Sequence, residues 1–267
     1  LIIATFPEAN YFIKYLHLKK IRSISEFNVY YSSKFTLTIS GIGKVNAAIA
    51  VAQTYQEFGK NRNNNWLNIG IAGHNNSKLG DIYIINKISE DNSDKRFFPY
   101  SPSITNVRNN SCITYENENN KYNHSLSDME LSGFFEAANK YSYKELIHSI
   151  KIVSDNKYDS IDFKDKKVVE RLFSDKSLIF NKFFKIIESL SDDAINNTIM
   201  IDRKIDQLIG KVKFTSSENE QAKKLLKLVF LKKKKIDYDI FNNSNNKKEI
   251  INQLKILLKL WELKIYI

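Results

Sequence analysis

Six residues, Ser40-Gly-Ile-Gly-Lys-Val45, constrain this chain more than any other stretch. They follow an apolar run, Phe35 to Ile39, and lead into Asn46-Ala-Ala-Ile-Ala-Val-Ala52. That order predicts strand, glycine turn, helix. Glycine lets the backbone take positive φ and lets a partner approach the main chain closely. Free N–H groups at the start of the following helix offer a place for a polar or anionic group. The pattern recurs downstream. Trp66 to Gly73 reads as a strand entering a second glycine turn, and Leu79-Gly-Asp81 turns into another strand, Ile82 to Ile85. Strands alternating with helices imply an α/β domain with a mixed or parallel sheet flanked by helices. Such sheets bind ligands at the carboxyl ends of their strands.

The remaining elements follow from periodicity and turn signals. Leu1 to Ala4 is a short buried strand. Pro7 suits the first turn of a helix, and Glu8 is favoured there by the helix dipole. Val29 to Tyr31 and Phe35 to Ser40 pair across a turn. The helix after Gly43 carries Val45, Ala48, Ile49, Ala52 and Tyr55 on one face. Ser89 to Asn110 reads as loop and Cys112 to Tyr115 as a short strand. Leu126 to Tyr141 reads as a helix with Met129, Phe134 and Ala137 inward. Glu145 to Val153 is a strand ending at Ser154-Asp155, and Phe163 to Leu190 is helical. After about Ser191 strands cease. Ser217-Glu-Asn-Glu220 has the form of a capping box. Ala222, Leu225, Leu226 and Val229 share one helical face, as do Ile250, Ile251, Leu254, Leu257, Leu258 and Trp261. The expected organisation is an α/β domain over residues 1–190 and an all-α C-terminal extension over residues 191–267.

Composition narrows the function classes. Within 267 residues, 42% are hydrophobic, enough for a sizeable core, yet no window approaches a membrane span. The chain opens on Leu1-Ile-Ile-Ala4, without the basic start and long apolar run of a secretory signal. A single cysteine, Cys112, excludes a disulfide framework and a cysteine zinc cluster. A cytoplasmic location is the default expectation. His17, His74, His124 and His148 are scattered, so no metal or cofactor is expected. The net charge of +11 invites a nucleic-acid reading. Much of the excess sits late, at Lys223, Lys224, Lys227 and Lys232 to Lys235. A charge run is usually a solvated face, so nucleic acid and membrane surface are the minority readings.

Five short motifs occur in order over residues 1–155: Ala4-Thr-Phe-Pro-Glu-Ala9, Ser40 to Val45, Asn68-Ile-Gly-Ile-Ala-Gly73 with Leu79-Gly-Asp81, Asp128-Met-Glu130, and Ser154-Asp155. In that order they resemble the nucleoside phosphorylase/nucleosidase superfamily, and most closely the methylthioadenosine/S-adenosylhomocysteine nucleosidases. The resemblance implies a three-layer, nucleoside phosphorylase-like fold and a homodimer acting on a purine nucleoside. By the same resemblance Glu8 activates the attacking water and Glu130 binds the ribose hydroxyls, with Met129 packing on the sugar. Asp155 hydrogen-bonds or protonates purine N7, with Ser154 beside it. Ile71, Gly73 and Tyr115 line the substrate site, Tyr115 as the candidate base stacker with Phe97 and Phe98 as alternatives. Lys151 stands where the nucleosidases usually carry arginine, and His74 where they frequently carry glycine. The extension lies outside the resemblance.

The chemistry asks for these residue types. Breaking an N-glycosidic bond builds oxocarbenium character on the ribose and negative charge on the base. An acid at the base and a carboxylate at the water answer both needs, as in inverting glycosidases. Phosphorylases of the hexameric branch hold phosphate with arginines around the glycine turns. By the resemblance the corresponding positions here are Glu8 and Asn68, and a carboxylate repels phosphate, which favours water as nucleophile. Taken singly, each residue has a plainer reading. Glu8 is a first-turn carboxylate, Glu130 an exposed helix residue, Ser154-Asp155 a helix cap and Met129 core filler. A phosphate-dependent phosphorylase and a degenerate nucleoside- or nucleic-acid-binding protein are the alternatives.

Overall fold

The computed structural model describes residues 1–21, 26–118, 122, 124–231, 236, 238–241 and 247–262. They divide into two compact units, Leu1–Ser191 and Asp192–Ile267. The first is built on a mixed sheet of ten strands among the described residues. In chain order these are β1 (Ile2–Ile3), β2 (Lys19–Ile21), β3 (Asn28–Tyr31), β4 (Thr36–Ile39), β5 (Trp66–His74), β6 (Ile82–Glu90), β7 (Arg96–Phe97), β8 (Arg108–Thr114), β9 (Leu126–Asp128) and β10 (Ile147–Asn156). Interleaved are the helices α1 (Phe6–Tyr15), α2 (Lys44–Phe58), α3 (Leu131–Tyr141) and α4 (Lys166–Ser174), then α5 (Ser177–Ile209).

Four strands, β4, β1, β5 and β10, run parallel side by side. Their carboxyl ends therefore open on one edge, where an α/β sheet holds ligands. β10 also pairs antiparallel with β6, β6 and β8 pair in parallel, and β9 returns to β5. β5, β10, β6, β8 and β9 thus close on one another, which leaves β5 and β10 buried along most of their length. Alternation sends successive side chains to opposite faces. Ile3 and Leu67 join a cluster with Phe12, Phe173, Phe180 and Phe183 from α1, α4 and α5. Ile2 and Trp66 join Ala47, Ala50, Val51, Phe134 and Phe135 from α2 and α3. The result is three layers: helices, sheet, helices.

Several local expectations need correction. On α2 the buried face is Ala47, Ala50, Val51 and Thr54, not the stripe through Val45, Ala48, Ile49, Ala52 and Tyr55. Small side chains face α3 because the two helices approach closely. A Cβ on Gly133 would stand 2.0 Å from the Lys44 carbonyl oxygen. Val45 and Ile49 are left exposed. The stretch from Ser89 to Asn110 is not all loop: β6 reaches Glu90, β7 covers Arg96–Phe97 and β8 begins at Arg108. Its polar Arg-Asn-Asn-Ser start hides the strand signal. Leu126 to Asp128 is strand rather than helix. Asp128 is drawn into the sheet: it accepts Thr114 Oγ1 and the Leu131 N–H, and pairs with Lys151. The helical run after Phe163 breaks at Asp175-Lys176 and then continues past Ser191 to Ile209.

The second unit contains the end of α5, α6 (Ser216–Leu231) and α7 (Lys247–Glu262). Its own core gathers Ile205, Leu208, Ala222, Leu226, Val229, Phe241, Ile250 and Leu254. The cap of α6 is formed by Thr215 and Glu218, two residues earlier than Ser217 and Glu220: the Glu218 carboxylate accepts the Thr215 N–H at 2.9 Å. Lys227 pairs with Asp202 at 3.0 Å and Lys223 with Asp206 at 3.2 Å. Lys232 to Lys235 and the Trp261 side chain lie outside the described residues.

Candidate active site

The first glutamate is fixed by its own helix start. β1 ends at Ile3, Thr5 precedes α1, and Pro7 sits in its first turn. Glu8 folds back so that Oε2 accepts the Thr5 N–H at 2.9 Å and the Thr5 hydroxyl at 2.6 Å. This is the returning half of a capping box. Its other oxygen, Oε1, accepts the Ile71 N–H of β5 at 3.0 Å. The plain reading of Glu8 as a helix carboxylate is thus satisfied, yet the same side chain crosses to the neighbouring strand and is only 3% exposed.

Glu130 stands at the corner between β9 and α3, where Asp128 ends the strand. It is buried, not an exposed helix residue. Its Oε1 accepts the Gly43 N–H at 2.9 Å. The free N–H of the first glycine turn therefore already holds an anionic group, supplied from within the chain. Burial and then the neighbouring Asp128 charge push the Glu130 carboxyl up to about 7, while Lys151 and the Gly43 N–H pull the other way. Lys151 is 1% exposed and lies 2.8 Å from Asp128. Burial works against its charge, but Asp128 and Glu130 outweigh this and raise the ammonium above its ordinary value. The pair needs that partnership, since an unpaired buried charge is strongly destabilising. Glu8 and Lys151 meet at Gly70, where a Cβ would lie 3.1 Å from Glu8 Oε1 and 3.3 Å from Lys151 Nζ.

Asp155 belongs to β10 rather than to a helix cap. The register against β5 shifts between Val153 and Asp155, an irregularity of the kind that re-aims side chains at a strand end. Ser154 Oγ donates to Oδ1 at 2.6 Å, and the Tyr122 hydroxyl donates to Oδ2 at 2.7 Å. Gly73, opposite on β5, makes room for the Asp155 carboxyl and the Tyr122 ring.

Glu8, Glu130 and Asp155 border one cavity of about 580 Å³. Glu8, Ile71, Gly73, Tyr115, Met129, Glu130, Ser154 and Asp155 all line it, so the structure brings together every site residue expected from the sequence. Asn68 does not line it: its amide is turned inward and donates to the Ile2 carbonyl at 3.2 Å. Phe97 packs on Phe135 and Phe98 faces solvent, so neither reaches the cavity. His74 holds the following turn, its Nδ1 accepting the N–H groups of Asn76 and Ser77. Lys44 reaches Glu90 and Glu116. Thr5, Asp128, Lys151 and Tyr122 escaped sequence reasoning as site residues. Thr5 and Asp128 stood inside the motifs without a role, Lys151 carried the signal of a cation inside an apolar strand, and Tyr122 carried none. Among the described residues no three His, Cys, Asp or Glu side chains are grouped to hold a metal ion, and no helix is long and apolar enough to cross a membrane.

No protein-family model and no curated protein matches the sequence. Solved structures do match. The Arabidopsis thaliana 5′-methylthioadenosine nucleosidase superposes with a TM-score of 0.57 at 14% identity, over 70% of this chain and 93% of that one. The Campylobacter jejuni 5′-methylthioadenosine/S-adenosylhomocysteine nucleosidase gives 0.50 at 17% identity, over 63% and 90%. The chain has the nucleoside phosphorylase-like fold of these nucleosidases, a mixed sheet between helical layers, with further helices at its C-terminal end.

Proposed function

We propose that this chain is a purine nucleosidase, an N-glycosidase that uses water to release the base from methylthioadenosine, S-adenosylhomocysteine or a related 5′-modified nucleoside. The observation that carries the reading is the convergence of Glu8, Glu130 and Asp155 on one cavity. In this reading Glu8 orients the attacking water. Glu130 accepts the ribose hydroxyls while Met129 packs on the sugar. Asp155, beside Ser154, hydrogen-bonds or protonates N7 of the leaving base, and Tyr115 stacks on it. Help of this acid–base kind is worth about 10²–10⁴-fold in rate. No metal or cofactor enters the proposed reaction.

Water is favoured over phosphate for a specific reason. The N–H groups of Ile71 and Gly43, which an oxyanion would seek, are taken by Glu8 and Glu130. The test is base release by purified protein in phosphate-free buffer, followed by chromatography. Equal rates with and without phosphate are expected. Release only after phosphate is added would make it a phosphorylase, and none from any purine nucleoside would remove the proposal.

The working unit is proposed to be a homodimer in the cytoplasm. Ile42, Val45 and Ile49 form an exposed apolar stripe, and Ile42 also rims the cavity. Val45→Glu with Ile49→Glu is expected to yield monomers in sedimentation; an unchanged mass would exclude this face. The catalytic role is assigned to residues 1–190, and residues 191–267 are treated as an appendage. Nucleic acid is not favoured, because Lys223 and Lys227 already have acidic partners.

A further inference from the structure

We propose that Tyr122 is a positioning residue for the base-side carboxyl, holding Asp155 in one orientation toward the cavity. Its chemistry rests on the nucleosidase reading; its contact rests on geometry. Asp155 hangs on two rotatable bonds near the end of β10. Ser154 reaches Oδ1, but as the adjacent residue it cannot tie the carboxyl to the rest of the site. Tyr122 can. Its hydroxyl donates to Oδ2 at 2.7 Å from the connection between β8 and β9, 33 residues away in sequence. Donors to ionised groups are the strong hydrogen bonds, and a carboxyl held at both oxygens has little freedom to turn.

The contact is built into the sheet. A Cβ on Gly73 would lie 2.7 Å from Asp155 Oδ2 and 2.9 Å from Tyr122 Cε1, closer than side chains tolerate. Gly73 is not among the glycines with positive φ, so glycine serves here to give space rather than conformation. Three separate segments meet at that one atom: β5, β10 and the β8–β9 connection. Burial, and then the bond to Asp155, push the Tyr122 phenol up to about 12. It therefore stays protonated near neutral pH, as a donor to Asp155. Tyrosine hydroxyls out of solvent usually find a partner, so a purely structural pairing is the competing account, and kinetics separate the two.

Tyr122→Phe keeps the ring against Gly73 and deletes only the hydroxyl. Positioning predicts a fall in kcat of about tenfold with KM within about twofold, the loss of one hydrogen bond to a charged group. Unchanged kcat, or a change in KM alone, overturns the proposal. A second measurement needs no turnover. In ¹³C-tyrosine NMR of the unliganded chain, Tyr11 and Tyr122 should titrate near 12. Asp155→Ala should move one of them to lower pH and leave the other. If neither moves, the contact is absent and the proposal fails. If the wild type releases no base, the nucleosidase reading falls, while the titration still decides whether Tyr122 holds Asp155.

Discussion

Gly43 and Gly73 both sit beside a carboxylate of the cavity, but for different physical reasons. At the first turn the backbone itself is unusual. Gly41 and Gly43 have φ of +80° and +105°, values that side chains rarely adopt, and the Gly43 N–H is thereby aimed at Glu130. At the second glycine stretch, expected as a turn but part of strand β5, no special conformation is needed. Gly70 and Gly73 lie in strand β5, and what matters is the missing Cβ, whose place is filled by Glu8, Lys151, Asp155 and Tyr122. The turn contributes a donor, the strand contributes room. Motifs that look alike in sequence therefore answer to different substitutions.

The largest expected effect lies in the carboxylates themselves. Asp155→Asn and Glu8→Gln should each lower kcat by about 10²–10⁴-fold with the fold intact by circular dichroism. Next come the glycines, which test the contrast directly. Gly73→Ala should reduce activity by about 10²-fold, since small misplacements near reacting groups cost that much, with a thermal midpoint near wild type. Gly43→Ala should instead lower stability in urea by about 1–3 kcal/mol, the strain of a non-glycine residue at that φ. If the two variants behave alike, the contrast is wrong.

The smallest effect is on pH. Ribose hydroxyls donate, so ionised Glu130 is the better acceptor. With its carboxyl raised to about 7, the acid form prevails below that point and KM should rise by up to about tenfold per pH unit as pH falls. Above it KM should level off. Glu130→Gln should remove the dependence.

Much of this was legible in the sequence because order along the chain mirrors order at one sheet edge. Glu8 and the first glycine turn follow the parallel strands β1 and β4, Gly73 and Asp155 lie near the carboxyl ends of β5 and β10, and parallel strands end together. What stayed hidden depended on contacts between distant residues. Val45 and Ile49 look like a core stripe until Gly133 draws α3 onto the opposite, alanine face of α2. Asp128 reads as helix until Lys151 and Thr114 claim it for the sheet. Tyr122 sits in a polar run with no period, and nothing local marks it as the partner of Asp155. Asn68 stands in sequence where the phosphorylases carry a phosphate-holding arginine, but its amide serves the β1 carbonyl instead.

The most direct test is a crystal of the protein soaked with a non-hydrolysable 5′-thioadenosine analogue. A single nucleoside should fill the cavity, with Glu130 on both ribose hydroxyls, Asp155 within hydrogen-bond distance of N7, and a water between Glu8 and the anomeric carbon. A nucleoside bound elsewhere, or one in this cavity whose N7 faces away from Asp155, would contradict the account.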